Sequence, residues 1–138
     1  MLGSAARWCL LSALAMALAA CASGGKEKDV DPNIFPTGFK QEVLTTLTDV
    51  LEDQTNVRDA YISDPTLTPV GKDRRYTVCV RYNARDASRQ YMGSQDRIGY
   101  FYGGRLTQLI EASKEQCGNA AYKPFPELEK LCQAKKCP

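Results

Sequence analysis

From Arg74 to Arg85 the chain reads RRYTVCVRYNAR. Tyr76, Val78, Val80, Tyr82 and Ala84 fall on one side of this run, and Thr77, Cys79, Arg81, Asn83 and Arg85 on the other. Successive strand side chains point to opposite faces, so this alternation has the period of a strand and not of a helix. It requires a sheet with two unlike faces. One must be closed by an apolar layer; the other is polar and basic and carries a cysteine.

The segment TGFKQEVLTTLTDVLEDQTN supplies the apolar layer. Phe39, Val43, Leu44, Leu47, Val50 and Leu51 recur at helical spacing, with Lys40, Glu42, Thr45, Asp49 and Glu52 around the other side. Pro36 and Thr37 mark its start and Gln54-Thr55-Asn56 its end. The acidic polar face suits a core-facing helix, since a helix lying on a membrane carries basic residues there. VRDAYIS, from Val57, reads as a short strand. DPTLTPVGKD reads as a loop broken by Pro65, Pro69 and Gly71, and DASRQYMGSQD as a second loop. RIGYFYGGRLTQLIEA reads as a hairpin turning at Gly103-Gly104, residues able to take the positive φ of two-residue turns. A short terminal helix is expected to begin at Pro126. The fold expected is α+β: one N-terminal amphipathic helix on a three- to four-stranded antiparallel sheet, with a disulfide-tied C-terminal segment.

Ahead of these elements, Arg7 is followed by thirteen apolar or small residues, Trp8 to Ala20. A membrane-spanning helix needs ~20 residues, whereas a short apolar centre after a positive charge describes an export signal. The run ends in Leu18-Ala19-Ala20-Cys21, which resembles the lipobox of bacterial lipoprotein precursors. That resemblance implies cleavage before Cys21, a diacylglycerol thioether on its sulfur and an N-acyl chain such as palmitate on its new amino group. The family's sorting rule, with Ala22 rather than Asp after the cysteine, implies the outer membrane, facing the periplasm. The mature part resembles small Gram-negative envelope lipoproteins. The organisation expected is a signal peptide at 1–20, a lipidated tether at 21–36, rich in Gly, Ser and charge, and one domain at 37–138.

Of the six cysteines, Cys9 belongs to the signal and Cys21 takes lipid, leaving Cys79, Cys117, Cys132 and Cys137. An even number of thiols in an oxidising compartment suggests disulfides. Among the three possible pairings the favoured one is Cys79–Cys117, tying the strand to the chain that follows the sheet, with Cys132–Cys137 closing a short C-terminal loop. Zinc sites use two close pairs, often with histidine; here there is one close pair and no histidine, so no metal site is expected.

The absence of histidine also removes the commonest general base and the usual Ser–His or Cys–His pair. No phosphate-binding glycine pattern is present. The expectation is therefore a protein without catalytic residues and without a cofactor beyond its covalent lipid. Residues 21–71 hold four basic and nine acidic side chains, and residues 72–105 eight basic and three acidic. Arg75, Arg81, Asn83 and Arg85 share the second strand face and form the candidate binding face, since guanidinium groups beside tyrosines recognise carboxylates and phosphates. The function expected is a membrane-anchored accessory subunit docking on another envelope protein, with no nucleic-acid partner. The alternative is a small binder of an anionic envelope ligand, a glycan or lipid head group.

Overall fold

A computed structural model describes residues 28–134. The segment expected to be a signal peptide, the lipobox-like stretch with Cys21 and the last cysteine, Cys137, lie outside the described residues, and with Cys137 so does the expected Cys132–Cys137 bridge. In chain order the elements are α1 (Phe39–Val50), β1 (Asp53–Ser63), β2 (Thr66–Val70), β3 (Asp73–Arg85), β4 (Tyr91–Tyr102), β5 (Arg105–Glu111), α2 (Lys114–Cys117), β6 (Tyr122–Pro124), α3 (Pro126–Glu129) and α4 (Leu131–Ala134).

The six strands form one sheet in the order β5-β4-β3-β1-β6, with β2 beside the other half of β3. Every pairing is antiparallel. This overturns the expected α+β domain of one N-terminal helix on three or four strands. The protein is mostly antiparallel sheet, its helices are short, and α1 follows described chain that begins at Lys28.

The physical reasons lie in particular residues. Pro69 belongs to a strand after all, opposite Arg74, because β2 has no partner strand on its outer side and a missing N–H costs no ladder bond there. β1 begins four residues before Val57. Its register against β3 shifts twice, and Asn56 and Asp59 each take φ 52°. Asn and Asp tolerate that conformation, so the strand bulges instead of ending. β4 begins at Tyr91, leaving only residues 86–90 as loop, held by Asp86 Oδ1, which accepts from the N–H groups of Ser88 (2.8 Å) and Gln90 (3.0 Å). The Gly103-Gly104 turn is as expected, with φ of 57° and 80°.

The first sheet face carries the core. Val43 and Leu47 of α1 are fully buried with Val57, Ile62, Val78, Val80, Tyr82, Ala84 and Phe101 of the sheet. Tyr76, Phe39, Leu44 and Leu51 pack around them half-buried, whereas Val50, expected in the stripe, is exposed where the helix ends.

The C-terminal segment wraps the sheet. On the second face, Cys79 bonds Cys117, their Cα atoms 5.8 Å apart, and Ile98 packs beside them. Ser113 and Gln116 cap α2 reciprocally, each side chain accepting from the other's backbone N–H. The chain then pairs with β1 as β6, rounds that edge, and buries Phe125, Leu128 and Leu131 in the first-face core. One disulfide and three apolar anchors thus clamp the sheet from both sides.

Candidate functional site

The basic face starts from register. Arg81 lies directly opposite Asp96 of β4, and Arg85 opposite Asp53 of β1. Cross-strand neighbours of opposite charge attract, and here they meet as hydrogen-bonded ion pairs. Arg81 Nε and Nη2 donate to Asp96 Oδ1 (2.7 Å) and Oδ2 (2.9 Å), a bidentate fork. Arg85 Nη2 lies 3.0 Å from Asp53 Oδ2 and donates to Thr55 Oγ1 at 2.6 Å. Arg75 Nη2 lies 3.3 Å from Asp73 Oδ2, and its Nη1 donates to the Arg74 carbonyl at 2.8 Å. Asn83 Oδ1 accepts from the Gly93 N–H at 3.1 Å.

The four candidate residues therefore share a face, as the alternation requires, but the three arginines have carboxylate partners within the domain. The partners were not legible as such. Asp53 reads from sequence as solvated surface at a helix end, and Asp96 as loop. Both become partners only once the β1–β3 and β3–β4 registers are fixed.

The electrostatics agree. The Arg81 fork holds the Asp96 carboxyl below the usual carboxylate range against the opposing effect of burial, and Asp96 in turn raises Arg81. The Asp53 carboxyl is also lowered, first by the Thr55 hydroxyl, then by the Thr55 backbone N–H, with Arg85 assisting and burial opposing. Tyr122 hangs over this site from β6, its ring centre 4.5 Å from the Arg81 guanidinium carbon. Burial, then the Asp96 charge, push its hydroxyl up to about 12, while Arg81 pulls the other way.

These shifts carry a prediction. A carboxylate whose folded pKa is depressed adds stability above its unfolded pKa and loses it as pH falls through the folded value. Urea midpoints should hold from neutrality down to about pH 4 and fall below it. In Asp96→Asn the midpoint should be lower at neutral pH and the acid limb shallower. Parallel acid limbs in the two proteins would contradict this.

Around the paired arginines lies a second set that sequence reading passed over. Arg58, opposite Asn83, places its guanidinium carbon 3.6 Å from the ring centre of Tyr91, which is itself opposite Arg85. The Tyr91 hydroxyl donates to the Asn56 carbonyl at 2.8 Å. Tyr61, opposite Arg81, is exposed on the same face; Met92, next to Tyr91, is exposed on the other, its sulfur 4.0 Å from Gln95 Nε2. The available signal was the tyrosine in RQYMGSQD, masked by reading that stretch as loop. Arg58 has no carboxylate partner among the described residues.

Farther along the same face, Val70, Arg75, Tyr100, Tyr102, Thr107 and Ile110 line a shallow groove of about 510 Å³. No three His, Cys, Asp or Glu side chains converge as a metal site among the described residues. Compared with known proteins, the chain matches no family model, no curated protein and no solved structure.

Proposed function

We propose that this protein is a lipid-anchored envelope protein whose domain is a non-catalytic docking module for another envelope protein. The lipobox-like Leu18-Ala19-Ala20-Cys21 supports the anchor. One observation carries the docking surface: Tyr61 and Tyr91 lie exposed beside Arg58 on the face of Arg81, Asn83 and Arg85. Tyrosine and arginine are enriched at interfaces, where large rigid side chains bury area at low entropic cost. The paired Arg81 and Arg85 hold fixed positions and add directional contacts at the rim, while Arg58 offers charge to a partner carboxylate. An anionic glycan or head group on this face finds less support, because each arginine of the original set has its own carboxylate.

The test places a photo-crosslinking residue at Tyr61, at Tyr91 and, as a control on the helix side, at Val50, in the full chain within intact cells. A discrete protein adduct is expected from positions 61 and 91 and not from 50. No adduct, or the same products from all three, would contradict this surface.

A further inference from the structure

We propose that the β4–β5 end of the domain lies against the lipid surface itself, with Val30, Ile34, Phe35 and Tyr102 as its contacts. This rests on the lipid-anchor reading and adds to it an orientation. Those four side chains are 46–52 % exposed, and they are held as a group. The Gly103 N–H donates to the Pro32 carbonyl at 3.0 Å. A methyl on Gly103 would sit 2.7 Å from Val30 Cγ1, and one on Gly104 3.2 Å from Ile34 Cγ2, so the incoming chain rests directly on the turn. The Phe35 ring meets Tyr76 edge-on at 5.3 Å, and Pro36 is fully buried. The last part of the segment read as tether, from Val30 to Pro36, is thus seated on the domain.

The length of chain leading to this patch names its occupant. Lys28 lies seven residues after Cys21. Seven residues span at most ~25 Å fully extended and ~15 Å on average. β3, at thirteen residues, runs ~40 Å from one end of the sheet to the other. An anchor at Cys21 therefore keeps the β4–β5 end near the bilayer, while Tyr91 and Met92, opposite the far end of β3, stand away from it.

The patch chemistry suits the interface of a bilayer. Tyr102 carries the Arg75 guanidinium 5.2 Å from its ring, and aromatic rings with nearby arginine are favoured at head-group level. Charge at this end is close to balanced: Arg75 pairs with Asp73 and Arg105 with Glu42 (3.0 Å). The contact is therefore apolar and aromatic, and insensitive to salt.

The only tryptophan, Trp8, lies in the segment read as signal, so a single introduced tryptophan reports position. The mature lipidated protein, extracted in mild detergent, is reconstituted into phosphatidylethanolamine–phosphatidylglycerol vesicles containing lipid brominated near the head group. Tyr102→Trp and Phe35→Trp are expected to lose roughly half their fluorescence at low and high salt alike, as an interfacial ring should; Met92→Trp is expected to lose none. Vesicle-bound protein with both near probes bright, or with near and far probes quenched equally, overturns the orientation and leaves the anchor standing. Protein that does not float with the vesicles overturns the anchor reading, and this proposal with it.

Discussion

Replacing both Cys79 and Cys117 with alanine is expected to destabilise the domain by about 4 kcal/mol. The bridge closes a loop of 38 residues, for which the chain-entropy relation gives that magnitude. In a domain of this size such a loss lowers the melting midpoint by roughly 15–30 °C. Losing the bridge also frees the segment that carries Phe125, Leu128 and Leu131 into the opposite core, so its restraint from the second face is gone. Cys117 is fully buried and Cys79 nearly so. Reductant should therefore act slowly on the folded protein and rapidly once urea opens it. Thermal melts of the double variant should fall well below those of the oxidised wild type; a variant melting within a few degrees of the oxidised protein would contradict the clamp.

Changing Cys21 to serine is expected to have the largest effect on where the protein resides. The lipobox resemblance implies that the thiol is the acceptor for diacylglycerol and that processing depends on it. Each buried methylene contributes ~0.8 kcal/mol, so three chains make release negligible where a single chain binds only marginally. Labelled fatty acid should enter the wild-type protein and not Cys21→Ser, which should also persist at precursor size. Cys9→Ser provides the control, since that residue lies inside the segment expected to be removed, and it should label and mature normally. Equal labelling of Cys21→Ser and wild type would contradict the assignment.

Local rules were legible where one short stretch held all the information. The alternation in β3 placed Tyr76, Val78, Val80, Tyr82 and Ala84 toward the helix and Cys79 away from it. Gly103-Gly104 announced its turn, and Cys79–Cys117 followed from a cysteine on the outer strand face. What escaped depended on tertiary context. β6 is three residues long and exists because β1 offers an edge for Tyr122–Pro124 to pair with. β2 hid behind Pro65 and Pro69, which signal a loop unless the strand is known to lie outermost. The start of β4 is polar and exposed on both sides, so it lacks the alternation that burial of one face imposes. β1 carried Asn56 and Asp59, residues that mark turns when read alone and bulges when the neighbouring strand continues.

The candidate site divided the same way. Periodicity correctly grouped Arg75, Arg81, Asn83 and Arg85 on one face, because facing is a property of a single strand. Whether those charges are free is a property of pairs of strands. Asp96 reaches Arg81 through a β3–β4 register fixed by the loop at 86–90, and Asp53 reaches Arg85 across the bulged β1–β3 ladder. The Arg58–Tyr91 stack depends on both registers at once, and so no single stretch of sequence displayed it.

Intact-mass spectrometry of the chain isolated from the membranes of its own cells addresses the central claim most directly. The expected species is a polypeptide that starts at residue 21 and carries the added mass of diacylglycerol plus one further acyl group. A chain retaining residues 1–20, or beginning at an unmodified Cys21, would contradict it.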